Sequence, residues 1–249
     1  MRRTLLIALT AIGLGGLADA RATEVHAVVG TLGYDLQRDA LPLIDVAIGA
    51  ECVYQELDIG EVIELVRQGV GPVTLEPGAY EAAVLEAGGA CSGAPLVTGR
   101  ADVPAAPLPD LPERAAALVV AELDASGSPK IRSFAVNTAA LGGRRSRVTF
   151  FHTAEAPALD LQLRRAGRAA NAFAAVGIEN GAQTFPTEVI GAGYELLVSL
   201  TPLRPGTFQD PLAKFALTLE GDLSYAVVLI GSIPRRTLDL ITLPLPTAP

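Results

Sequence analysis

Gly78-Ala79-Tyr80-Glu81-Ala82-Ala83-Val84 returns 114 positions later as Ala192-Gly193-Tyr194-Glu195-Leu196-Leu197-Val198. Upstream, Pro42-Leu43-Ile44-Asp45-Val46 matches Pro157-Ala158-Leu159-Asp160-Leu161 at a separation of 115, and Val25-His26-Ala27 matches Phe151-His152-Thr153 at 126. Downstream, Ala117-Leu118-Val119-Val120 resembles Ala226-Val227-Val228-Leu229. Four blocks in one order imply a duplicated domain, because solenoid units repeat every 20 to 50 residues or so. The 11 extra residues of the first copy fall between His26 and Pro42, around Gly30 to Asp39, and read as a loop insertion.

The repeated blocks have strand character. Ile44, Val46 and Ile48 alternate with Asp45 and Ala47. Leu159, Leu161 and Leu163 alternate with Asp160, Gln162 and Arg164, and Phe215, Leu217 and Leu219 with Ala216, Thr218 and Glu220. An apolar period of two describes a strand with one face on a core and the other wet. Turn chemistry separates the runs at Glu76-Pro77-Gly78, Ser126-Gly127-Ser128-Pro129, Arg165-Ala166-Gly167, Asn180-Gly181 and Glu220-Gly221-Asp222. The pattern predicts an all-β chain of two tandem antiparallel β-sandwich, immunoglobulin-like domains. Their expected bounds are 23–141 and 142–249, with the boundary near Asn137 to Arg147. The proline-rich stretch Val103 to Pro112 and the Thr201 to Pro211 region read as equivalent long loops. Gly60 to Gly69 fits a short helix ended by Gly69 and fits a strand as well.

Arg2 and Arg3 precede an apolar run from Leu5 to Leu17, short for a membrane span and right for a signal peptide. Small residues at Ala18, Ala20 and Ala22 place cleavage after Ala20 or Ala22, so residues 1–22 are expected to be a signal peptide. No later stretch is apolar enough to anchor the mature chain in a membrane. The expected location is the periplasm or the exterior. There, Cys52 and Cys91, the chain's two cysteines, are expected to form a disulfide.

The chain has 19 Lys and Arg against 27 Asp and Glu, a net charge of −8, which disfavours nucleic acid as a partner. The charge is uneven. Residues 23–141 hold 6 basic and 17 acidic side chains, a net −11, whereas 142–249 hold 10 and 9, a net +1. Arg144, Arg145, Arg147, Arg164, Arg165 and Arg168 make the start of the second copy locally basic, which fits a solvated surface or the steering of an acidic partner. Aromatic residues are 5% of the chain and Trp is absent, leaving a carbohydrate module little but Tyr34, Tyr54 and Phe173 to stack on sugars.

His26 and His152 occupy equivalent positions, as do Asp45 and Asp160, and Tyr80 and Tyr194. A His–Asp pair can orient an imidazole for acid–base work or metal binding. The plainer reading has the His closing a strand edge and the Asp on the wet face, since a duplicated domain repeats its structural residues. No serine elbow, His-Glu-x-x-His or phosphate loop occurs, and the carboxylates Glu51, Glu56, Asp58, Glu61 and Glu64 do not form a calcium loop. No catalytic residue, metal or cofactor is assigned.

The order His, then Ala-Pro-x-Leu-Asp-Leu, then Gly-x-Tyr-x-x-x-Val resembles the domain-of-unknown-function family 4397 (DUF4397) of exported bacterial and archaeal proteins. The second copy keeps His152, Ala156, Pro157, Asp160 and Leu161. The first keeps His26, Pro42, Asp45, Val46, Pro77, Gly78 and Tyr80, with His26 set apart by the insertion. The resemblance implies a β-sandwich module, often in tandem, and no activity. The expected function is therefore a non-catalytic interaction module that binds an unidentified protein or envelope component. A hydrolase or metal-dependent enzyme using the His/Asp pair and a passive structural spacer are the alternatives.

Overall fold

The computed structural model describes residues 23–29, 43–58, 73–104, 115–201 and 210–247; for 26–29, 43, 54, 56–58 and 73 it describes the backbone alone. The signal peptide, the insertion with Tyr34, the Gly60 to Gly69 segment, Glu61, Glu64 and most of both proline-rich loops lie outside the described residues. So do the side chains of His26, Tyr54, Glu56 and Asp58.

The described chain is all-β. In its N-terminal half run β1 (Thr23–Val29), β2 (Leu43–Ile48), β3 (Glu51–Asp58), β4 (Val73–Leu75), β5 (Gly78–Glu86), β6 (Pro95–Val103), β7 (Ala115–Leu123) and β8 (Pro129–Asn137). The C-terminal half holds β9 (Arg145–His152), β10 (Leu159–Arg165), β11 (Asn171–Ile178), β12 (Ala182–Gln183), β13 (Thr187–Ile190), β14 (Ala192–Leu200), β15 (Ala213–Leu219), β16 (Leu223–Ile230) and β17 (Asp239–Pro246). Sheet I has the order β4-β1-β7-β8 and sheet II β3-β2-β5-β6. Sheet III has the order β12-β9-β16-β17, with β13 also on β9, and sheet IV β11-β10-β14-β15. The strand path of sheets I and II thus recurs in III and IV, down to the parallel pairs β1–β7 and β9–β16 among otherwise antiparallel ladders. The folds are β-sandwiches of the immunoglobulin-like kind.

Side-chain alternation decides how the sheets stack. Every residue of β7 is buried, so sheet I has apolar neighbours on both faces. Register places Leu118 beside Phe134 of β8, and the Phe134 ring meets Phe151 of β9 at 5.0 Å. The other face of β8 turns to sheet II. A Cβ on Gly99 of β6 would lie 2.8 Å from Ile131, and the Asp102 amide donates to Ser133 Oγ at 2.8 Å. In β9 the adjacent residues Phe150 and Phe151 point oppositely: Phe150 stacks on Phe173 of sheet IV at 5.4 Å, while Phe151 joins the core of the first half. Ala226, Val228 and Ile230 of β16 and Ile241, Leu243 and Leu245 of β17 face the same way as Phe151. The order of layers is therefore II, I, III, IV, with one continuous apolar core crossing between the halves.

Outer strands keep the wet-and-dry alternation read from the sequence. Leu159, Leu161 and Leu163 are buried between half-buried polar neighbours, and Leu217 and Leu219 between exposed ones. Cys52 and Cys91 form a disulfide with a Cα separation of 5.6 Å, tying β3 to the loop after β5. The chain from Asn137 to Arg147 is also held. Arg147, itself buried, donates from Nη1 to Asn137 Oδ1 (3.2 Å) and the Ala139 carbonyl (2.8 Å), and pairs through Nη2 with Glu188 at 3.3 Å.

Candidate functional site

The repeated residues are spent on holding strands together. Tyr80 and Tyr194 each occupy the third position of their strand, and each hydroxyl donates to the carbonyl four residues upstream, Glu76 and Ile190, at 2.7 Å. This resembles the tyrosine corner of Greek-key sandwiches, where a phenol fastens the entry to a strand. Gly49, at φ +61°, closes the β2–β3 hairpin beneath the Tyr80 ring, where a Cβ would come within 2.8 Å of Cδ1. Glycine meets both demands there, the left-handed backbone and the absent side chain.

Asp45 and Asp160 do not lie on a wet face, which corrects the sequence expectation. Asp45 is fully buried and Asp160 half-buried. Asp45 Oδ2 accepts the Gly88 amide at 3.2 Å; Asp160 Oδ1 accepts the Gly177 amide and the Thr201 hydroxyl, both at 2.8 Å. A carboxylate can leave water only when such donors replace it. The alternation that marked these positions as wet gives the direction of a side chain and not what covers it.

His152 is buried and pairs through Nε2 with the Pro157 carbonyl at 3.0 Å, so the ring proton sits on Nε2. Its Nδ1 has no hydrogen-bond partner among the described residues. Burial pushes its pKa below the ordinary 6.5, against the pull of the Pro157 carbonyl and of Glu179, keeping the ring neutral. Among the described residues no hydrogen bond joins His152 to Asp160, which accepts from Gly177 and Thr201. The His26 backbone lies opposite Leu118 in the parallel pair β1–β7. Among the described residues no group of three or more His, Cys, Asp or Glu is placed to hold a metal ion.

Two other places concentrate unspent chemistry. The first is the junction of the halves. Glu122, fully buried on the face of β7 that meets sheet III, is bonded to Arg132 Nε of β8, and Arg132 Nη2 reaches Asn180 Oδ1 at 3.4 Å. Gly181, at φ +77°, lets the guanidinium through, since a Cβ there would sit 2.2 Å from Cζ. Glu122 Oε2 has no hydrogen-bond partner among the described residues. Burial pushes the Glu122 pKa up to about 7, although the Arg132 hydrogen bond and charge oppose the rise.

The second is an open cleft of about 690 Å³ at one end of sheet IV. The Arg165-Ala166-Gly167-Arg168 turn between β10 and β11 forms one wall, closed by the Arg168 amide donating to the Arg165 carbonyl at 2.9 Å. Tyr194 and Glu195 of β14 and Lys214 and Phe215 of β15 complete it. Arg165, Arg168 and Lys214 are exposed and pair with no carboxylate of the described residues. Glu195 is the cleft's one anion against three cations. Sequence proximity picked out Arg165 and Arg168. It missed Lys214 and Phe215, which reach the cleft only through the β14–β15 pairing that sets Leu197 beside Lys214 and Leu196 beside Phe215.

No family model and no curated protein matches the chain. Among solved structures it is similar to the Bacillus anthracis TIE protein, at 8% identity and a TM-score of 0.25, over 84% of this chain and 33% of that one. The chain thus spans about a third of that protein's length. It is also similar to the C-terminal fragment of the pilus adhesin SpaC from Lactobacillus rhamnosus GG, at 13% identity and a TM-score of 0.19, over 93% of this chain and 100% of that one. Similarity at this level carries no functional argument. No helix among the described residues is long and apolar enough to cross a membrane.

Proposed function

We propose that the chain is an exported, non-catalytic interaction protein of the cell envelope or exterior, built from two copies of one sandwich domain. On this reading residues 23–141 and 142–249 are the copies, residues 1–22 direct export, and the cleft at Arg165, Arg168 and Lys214 takes up an acidic partner. The observation that carries the reading is the charge of that cleft. Three exposed cations line the cleft with Phe215 against the single carboxylate of Glu195, and none of the three forms an ion pair among the described residues, while the residues shared by both copies are committed to structure. A basic hollow with an aromatic side chain recruits carboxylate or phosphate groups and steers their approach. The Cys52–Cys91 disulfide supports export, because cytosolic thiols are kept reduced. Kinship with family 4397 belongs to the same proposal and rests on the order of His152, Pro157, Asp160 and Tyr194.

The test is affinity capture by the mature chain from envelope and secreted fractions of its host, beside the variant Arg165→Glu/Arg168→Glu/Lys214→Glu. Capture that the triple reversal abolishes, with an unchanged melting temperature, is the expected result. It should also weaken as salt rises. Capture indifferent to the reversal removes the cleft from the reading, and the absence of any saturable partner removes the interaction role.

A further inference from the structure

Asn180-Gly181 is the one Asn-Gly pair among the chain's three asparagines, the others being Asn137-Thr138 and Asn171-Ala172. Glycine has no Cβ to screen its amide nitrogen, which leaves that nitrogen free to attack the carboxamide carbon before it. The pair sits in the Glu179-Asn180-Gly181-Ala182 turn between β11 and β12, closed by the Ala182 amide donating to the Glu179 carbonyl at 3.0 Å. Gly181, at φ +77°, fills the left-handed third position of this turn.

The atoms such an attack would use are all held, and both halves of the molecule hold them. Asn180 Nδ2 donates to the Ala154 carbonyl at 2.8 Å, and Asn180 Oδ1 accepts from Arg132 Nη2 of β8 at 3.4 Å. The Gly181 amide donates to the His152 carbonyl at 2.6 Å. The Arg132 guanidinium lies across Gly181, where a Cβ would strike its Cζ, and the buried Glu122 anchors it from behind. For attack, the Gly181 nitrogen must give up its proton and swing toward Asn180 Cγ. That motion breaks the His152 bond and both carboxamide bonds, so the junction of the halves must open first.

We propose that Asn180 is a deamidation site kept inert by the closed junction, and that opening the junction starts a one-way change that stops it closing again. The Gly181 nitrogen bonds to Asn180 Cγ and the bond from Cγ to Nδ2 breaks. Nδ2 leaves as ammonia, taking the Gly181 amide proton, and a cyclic imide remains. Water then opens the imide at either carbonyl, giving aspartate or isoaspartate and returning a proton to the nitrogen. Either product puts a carboxylate where Nδ2 donated, so the Ala154 carbonyl loses its donor and Arg132 is drawn between two carboxylates. Isoaspartate also lengthens the turn by one backbone carbon, and the bonds from Gly181 to His152 and from Ala182 to Glu179 no longer fit together.

Peptide mapping by mass spectrometry, on the mature chain aged at mildly alkaline pH, follows each asparagine. In urea-unfolded chain Asn180 is expected to convert well ahead of Asn137 and Asn171. In the native fold its conversion is expected to be about a hundredfold slower than when unfolded. Arg132→Met, paired with Glu122→Gln so that no buried charge is left alone, is expected to speed it about tenfold in the folded chain. Circular dichroism checks that this variant is folded, and urea below the unfolding midpoint is expected to raise the native rate without any substitution. The purified isoaspartyl form is expected to keep its sheets and to exchange the Gly181 amide proton faster than the native chain. Conversion as fast in the native fold as in urea overturns the proposal. So does a rate indifferent to the paired substitution, and so does an isoaspartyl form whose Gly181 amide stays as protected as before.

Discussion

The two halves share one strand path and fill it differently. At matched positions the N-terminal half has Val46 and Ala82 where the C-terminal half has Leu161 and Leu196, while Ile44 and Ile48 answer Leu159 and Leu163. Smaller side chains remove less apolar surface from water, at about 25 cal/mol per Å². The N-terminal half also carries the disulfide. This covalent tie constrains the N-terminal half, and the C-terminal half has no cysteine.

The comparison breaks most visibly at the disulfide. Replacing Cys52 and Cys91 by Ser frees a loop of 39 residues, which in the chain-entropy account costs about 4 kcal/mol. The expected outcome in urea is a separate, early transition of residues 23–141, followed by fluorescence and circular dichroism, with the C-terminal sandwich unfolding near its original midpoint. Simultaneous loss of both halves would mean that the apolar contact between sheets I and III, including Phe134 on Phe151, couples them more strongly than either core.

The junction between the halves gives the next largest effect, through pH. The Glu122 pKa is about 7 in the fold against an ordinary 4.5, so its contribution is complete below pH 4.5 and is lost as pH rises from 4.5 through about 7. The loss is about 3 kcal/mol. His152 runs the other way. Its folded pKa lies below 6.5, so its contribution is present above that value and is lost as pH falls beneath it. Urea midpoints from pH 4.5 to 8 should decline on the alkaline side in the native chain, and Glu122→Gln should flatten that decline. A decline unchanged in Glu122→Gln would assign the pH dependence elsewhere.

The smallest effect sharpens the comparison at a pair of equivalent residues. Tyr194 is buried and Tyr80 only partly so, though both hydroxyls make the same 2.7 Å bond. Tyr194→Phe is expected to cost about 1 kcal/mol and Tyr80→Phe clearly less, because water can replace a lost partner at the exposed site. Thermal melts of the two single variants check the order. Equal losses would show that the corner bond acts through strand entry alone, independently of burial.

Much of the fold was legible in the sequence wherever one face of a strand meets water. The runs of β10 and β15 alternate because their outer faces are wet, and the turn residues that separate them lie where the chain reverses. The inner strands carry no such record. The period-two rule reads Asp45 as a wet position and says nothing of Glu122 in its unbroken apolar run, yet hydrogen-bonding partners from other elements make both burials possible. The cleft was half legible: Arg165 and Arg168 are neighbours in sequence, but Lys214 joins them only across the β14–β15 ladder.

By itself, then, the sequence determined the strand content, the turn positions, the outer-face alternation and the availability of one cysteine pair, because each depends on residues close along the chain or on composition alone. The tertiary structure decided that sheets I and III pack against each other, that Asp45 and Glu122 lie buried, that three unpaired cations share one hollow, and that β11 is left as an uncharged edge. The physical reason is that periodicity records which side of a strand is apolar, whereas the surface that side meets is chosen by packing among segments distant in the chain.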